Sequence, residues 1–207
     1  MTVTVDDTNF KAIANAIRAK NGTTTKYKPS EMASAIEAIS TGGGGGGDIT
    51  AIKNLLEQGS AMTEITIPEG VTKLCSYCFN YYDALVTVNL PSTLTEIGGS
   101  AFSGCTSLKN IELPEGLTGL YTRAFEDCYA IENITIPAGV KNLYEYTFGW
   151  CEGLTEVTFK GTPESISVNA FGKSTAIETI NVPWAEGAVA NAPWGATNAT
   201  INYNYKG

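Results

Sequence analysis

Five cysteines, Cys75, Cys78, Cys105, Cys128 and Cys151, are the side chains here best equipped for chemistry. A thiolate is a nucleophile and a soft metal ligand, so their spacing must be explained first. Cys105, Cys128 and Cys151 stand 23 residues apart, which would allow a metal ladder or a disulfide between successive turns of a repeat. A row of three leaves an odd member, and the chain has no histidine to complete a zinc set. We read them as buried thiols at the edge of a core, because the same position holds Tyr82 before them and Ser174 after them. Cys75 and Cys78 have the spacing of a redox pair. Cys78, however, shares a column with Ala101, Ala124, Thr147 and Ala170, so one of the two is read as core and a redox role is set aside.

Catalysis needs a positioned acid, base or nucleophile. The chain offers no histidine, no nucleophile motif and no metal-ligand cluster outside the repeats, so an enzyme, a cofactor and a metal are not expected. The adjacent acids Glu126 and Asp127 are read as a solvated turn. Of 22 glycines, six form a single run and Gly70, Gly116 and Gly139 recur in a turn, so no phosphate loop is indicated. What remains is aromatic. Tyr81, Tyr121, Tyr144, Tyr146 and Trp150 lie off the apolar ladders and are the candidate ligand-binding surface, since exposed Tyr and Trp give contact area with a polar handle. Tyr121 and Tyr144 share a column and Tyr146 follows two residues on, the makings of a stripe. The competing reading has these tyrosines covering strand edges and stacking between coils.

The element that must position them is a 23-residue repeat running from about 62 to 183. Phenylalanine recurs at Phe79, Phe102, Phe125, Phe148 and Phe171, and proline at Pro68, Pro91, Pro114 and Pro137. Aliphatic ladders keep the same interval at Ile65, Val88, Ile111, Ile134, Val157 and Ile180, and at Leu74, Ile97, Leu120, Leu143 and Ile166. A unit this short cannot bury its own apolar face, so units must stack into a solenoid. Within each, Ile65-Thr66-Ile67-Pro68 reads as a short strand ended by a residue without a ladder donor. The expected fold is a repeat solenoid of 23-residue units with short parallel β-strands. At roughly 4.8 Å per coil it makes a curved rod on the order of 25 Å long.

A small α-helical segment precedes it, making the chain α+β overall. Residues 1–41 read as a helical hairpin, with Phe10, Ile13, Ala14 and Ile17 on one helix and Met32, Ile36 and Ile39 on the next. Two such helices bury too little to stand alone, which implies self-association as a homo-oligomer or docking on a larger assembly. Residues 42–47 are a poly-glycine hinge, 48–61 a helical N-terminal cap, 62–183 the solenoid and 184–207 a C-terminal cap ending in a strand over Thr200 to Tyr205. The net charge of −8 repels phosphate backbones and anionic lipid, so nucleic acid is not a partner. No run of 18 apolar residues exists for membrane insertion, and the opening MTVTVDDTNF lacks the regions of a secretion signal.

Units such as LTEIGGSAFSGCTSLKNIELPEGL resemble the BspA-type leucine-rich repeats of bacterial and phage proteins, with departures at Lys160, where the proline is missing, and Ser174, where the cysteine is. The resemblance implies a non-enzymatic solenoid used for binding or adhesion. The flanks NFKAIANAIRAKNGTTTKYKPSEMASAIEAI and VPWAEGAVANAPWGATNATINYNY resemble tail-associated proteins of phages and prophages of gut bacteria. That second resemblance implies a virion protein whose hairpin binds other virion components and whose repeats contact a host cell-surface protein or glycan. The alternatives are a bacterial cell-surface adhesin, an interaction module, or a structural spacer.

Overall fold

The computed structural model describes residues 62–67 and 69–207. The expected hairpin, glycine hinge and helical cap of residues 1–61 lie outside this part, and among the described residues there is no helix. The described residues are all β, as expected of the solenoid; the helical part of the α+β expectation falls on the residues outside them. Counting in units of 23, coil one is 62–84, coil two 85–107, coil three 108–130, coil four 131–153 and coil five 154–176.

Each coil has two strand-bearing sides. The first carries β1 (Glu64–Thr66), β3 (Thr87–Asn89), β5 (Asn110–Ile111), β7 (Asn133–Ile136), β9 (Glu156–Phe159) and β11 (Thr179–Asn181), followed by β12 (Thr200–Asn202). The second carries β2 (Lys73–Leu74), β4 (Glu96–Ile97), β6 (Gly119–Leu120), β8 (Asn142–Leu143) and β10 (Ser165–Ile166). Every pairing is parallel, and Ile65 opposes Val88 as Leu74 opposes Ile97, the 23-residue offset that the repeat predicts. From β1 to β9 the inward members of the first-side strands are buried while their neighbours face outward, the alternation of a half-buried strand; in β11 Asn181 is buried as well. Where Lys160 replaces the strand-ending proline, its amide donates to Ile136 O at 2.9 Å, a bond proline cannot make.

The third side holds no strand, yet it is bonded as regularly as a sheet. In coil one the amides of Tyr77, Phe79 and Tyr81 donate to Gly99 O, Ala101 O and Ser103 O of coil two at 2.8–3.0 Å, and the pattern repeats down the rod. Two left-handed residues per turn create this geometry. One column runs Tyr77, Ser100, Arg123 and Tyr146 at φ between 52° and 63°; the other runs Tyr81, Gly104, Asp127, Trp150 and Lys173. For bulky residues that conformation costs roughly 1–2 kcal/mol each, and the bonds between coils hold it in place. Between the two columns the phenylalanines point inward and stack, with centroids 5.3 Å apart from Phe79 through Phe148 and 5.8 Å apart from Phe148 to Phe171.

After coil five the period shortens: Thr179 pairs with Thr200, a 21-residue offset. Trp194, wholly buried, accepts at its carbonyl from the Phe171 amide and packs with Phe159 and Trp184 over the last coil.

Candidate functional site

The thiol column is built for structure. Cys105, Cys128 and Cys151 are fully buried, and their Sγ atoms donate to the carbonyls of Phe79, Phe102 and Phe125 at 3.1–3.2 Å. Ser174 does the same to Phe148 O at 2.6 Å and accepts from the Cys151 amide at 2.9 Å. A buried carbonyl left without a donor is costly, and this column supplies a side-chain donor to four of the five phenylalanine carbonyls, those of Phe79, Phe102, Phe125 and Phe148. Burial pushes the thiols of Cys105 and Cys151 up to about 12, and drives Cys128 well above the ordinary value, with the neighbouring thiols of Cys105 and Cys151 adding to the effect. These thiols hold their protons and are poor nucleophiles at neutral pH.

Two acid and thiol readings need correcting. Cys78 is core, but it is disulfide-bonded to half-buried Cys75 with a Cα separation of 5.4 Å. The turn at left-handed Tyr77 brings the two columns together, which linear spacing does not show. Glu126 is not solvated: it is 8% exposed, pairs with Arg123 at 3.2 Å and accepts from the Ser103 hydroxyl at 3.4 Å.

The aromatic candidates form two groups and an outlier. Tyr121 and Tyr144 follow β6 and β8 directly, are exposed, and stack with centroids 5.7 Å apart at 18°. Half-buried Tyr146 and Trp150 are left-handed residues of the same turn, which sets their rings 4.9 Å apart. The Tyr146 ring lies over Gly172, where an added Cβ would meet Cε1 at 2.7 Å, so glycine is what admits the ring. Tyr81 shares Trp150's column three coils earlier and lies against Gly104, apart from the other four. Tyr82 is buried in the thiol column. The sequence reading missed Arg123, whose guanidinium sits 5.4 Å from the centre of the Tyr146 ring. Its signal was available, because Arg123 is 23 residues before Tyr146 and therefore directly above it. Exposed Tyr77 and Tyr129 were also left out of the candidate surface.

A parallel solenoid of leucine-rich-repeat type, with a solvent-facing aromatic edge, is the class this architecture defines. The family model described as the BspA type leucine rich repeat region matches residues 50–107 and 72–188, in 6 copies. The chain belongs to the BspA-type leucine-rich-repeat family. Among solved structures it is similar to a leucine-rich repeat protein of T. pallidum, at 27% identity and a TM-score of 0.55, covering 69% of each chain. It is similar also to a leucine-rich repeat protein of Bacteroides ovatus, at 33% identity and a TM-score of 0.52, covering 61% of this chain and 33% of that one. A leucine-rich cell surface protein of Faecalibacterium prausnitzii shares the fold at 24% identity and a TM-score of 0.55, with 70% of this chain and 36% of that one covered. The chain thus spans about a third of those last two proteins. No curated sequence matches it. The phage-tail resemblance of the flanks has no counterpart among these relatives.

Proposed function

We propose that this solenoid is a non-enzymatic interaction module of a bacterial leucine-rich-repeat protein and that its aromatic edge binds a protein partner. The observation that carries the reading is the pairing of Tyr121 with Tyr144 and of Tyr146 with Trp150 along consecutive coils, with Arg123 beside them. Tyr, Trp and Arg dominate the energetics of protein interfaces, and here each is held by its coil, so little side-chain freedom is lost on binding. Tyr121 and Tyr144, both exposed, each cover one face of the other, so less ring face is open to flat stacking on a sugar than two separate rings would offer, which favours a protein surface. Placement on a bacterial cell surface fits the same reading; a virion location rests only on the resemblance of the flanks.

The test is binding of the full chain to arrays of bacterial and host surface proteins, with a glycan array in parallel. Replacing Tyr121, Tyr144 and Tyr146 together by alanine is expected to weaken a protein hit by about a hundredfold. A protein hit that survives the triple replacement unchanged, or binding confined to glycans, overturns the proposal.

A further inference from the structure

Hydrogen bonds join successive coils at the same five places on the two strand-bearing sides. From coil two to coil one, the amides of Val86 and Thr87 donate to Thr63 O, those of Thr95 and Glu96 to Thr72 O, and that of Gly98 to Leu74 O. Coil three repeats the set on coil two: Lys109 and Asn110 to Val86 O, Thr118 and Gly119 to Thr95 O, Tyr121 to Ile97 O. Coil five repeats it on coil four, with Thr155 and Glu156 to Glu132 O, Glu164 and Ser165 to Lys141 O, and Ser167 to Leu143 O. Between coils three and four all five are missing. The amides of Glu132, Asn133, Lys141, Asn142 and Tyr144 reach no carbonyl of coil three. Both sheets break at this junction: β1, β3 and β5 part from β7, and β2, β4 and β6 part from β8.

The third side does not break. Arg123, Phe125 and Asp127 donate to Glu145 O, Thr147 O and Gly149 O at 3.1, 2.9 and 3.0 Å, and Phe125 and Phe148 keep the 5.3 Å spacing of the stack. We propose that the solenoid is two stiff blocks, meeting between residues 130 and 131, that flex about the phenylalanine side and open along the strand-bearing sides. On these sides the bonds and ring contacts that cross the junction come from side chains: Lys109 meets Glu132 at 2.6 Å, Lys160 pairs with Glu115, and Tyr121 stacks on Tyr144, while the backbones touch at Gly139 and Leu117 without a hydrogen bond. The ion pairs are exposed and thus weak. On this proposal the tyrosine pair acts as the wedge: its rings stack across the break, and Tyr144 supplies one of the five missing donors. Tyr121 and Arg123 ride on one block, and Tyr144, Tyr146 and Trp150 on the other. If the proposed interface is right, a partner touching both blocks sets the angle between them; the flexing itself needs no partner.

Amide hydrogen exchange on the full chain, read residue by residue by NMR, is the test. The amides of Glu132, Asn133, Lys141 and Asn142 are expected to exchange at least about tenfold faster than Lys109, Asn110, Thr118 and Gly119, their equivalents one coil earlier. Equal protection at the two junctions overturns the proposal. Tyr144→Ser, which installs the residue that Ser167 already provides in this column, is expected to slow exchange at Lys141 and Asn142 several-fold. Unchanged exchange at those two amides removes the wedge as the cause. Neither measurement involves a ligand, so their failure leaves the binding test standing, and failure of that test leaves these.

Discussion

The inner phenylalanine column and the outer column that begins at Cys75 obey the same 23-residue period and have opposite histories along the rod. Inside, Phe79, Phe102, Phe125, Phe148 and Phe171 fill every rung, each stacked on the next. Outside, the column reads Cys75, Gly98, Tyr121, Tyr144 and Ser167, with no residue type kept for more than two coils. Packing explains the first: a rung of different volume would open a void or force two coils apart, at a cost paid by both neighbours. The outer rungs answer to different neighbours: Cys75 is half-buried in its disulfide, a Cβ at Gly98 would meet Ser76 N at 2.5 Å, and Tyr121 and Tyr144 face solvent. These tyrosines therefore need a reason other than packing, and they sit at the junction where the sheets are interrupted.

The comparison breaks first if the inner column tolerates truncation. Phe125→Ala deletes a fully buried ring from the middle of the stack. The expected loss is about 3–5 kcal/mol in chemical denaturation. A loss below about 1 kcal/mol would mean that the coils collapse around the gap and that the stack is a consequence of the fold, not a support for it.

The thiol column sharpens the same contrast through pH. In the unfolded chain each thiol ionises near 9.0, whereas in the fold Cys105 and Cys151 keep the proton to about 12 because burial opposes the thiolate. The folded values are raised, so the unfolded chain binds fewer protons between those limits. Stability is full below about pH 9 and falls as pH climbs towards 12. Cys128, raised in the same direction, and Tyr82, raised by burial, steepen the fall. Replacing the three cysteines by serine is expected to flatten the curve at a cost of about 1 kcal/mol per site, since Ser174 already makes the equivalent bond. Thermal melting from neutral to alkaline pH checks it; identical curves for the two proteins would assign the alkaline loss to tyrosine.

The contrast also marks what could be read from sequence. The period fixed the parallel offset and the buried columns, because packing repeats the same demand at every rung. It also placed Tyr121 over Tyr144. The second strand-bearing side escaped, its strands being only two residues long, too short for an alternating pattern. The Cys75–Cys78 bond and the burial of Glu126 escaped because both depend on left-handed turn residues that are not glycine. Arg123 over Tyr146 was there in the spacing, but only for a reading that ran the columns through polar residues as well.

The smallest expected effect belongs to the outer column, and it is the one that separates binding from folding. Tyr121→Ala combined with Tyr144→Ala removes two exposed, mutually stacked rings that fill no core position. Loss of the stack is worth about 0.5–1.5 kcal/mol, and return of the missing strand bonds between coils three and four offsets it, each worth about 0.5–1.5 kcal/mol. The net change in unfolding free energy should therefore lie within about 1 kcal/mol of zero. A loss as large as that of Phe125→Ala would make the tyrosine pair a structural clamp and erase the distinction between the two columns. A small net gain, seen as a higher denaturant midpoint with an unchanged slope, would mean that the tyrosines are kept at the expense of stability, as expected of residues held for contact with a partner.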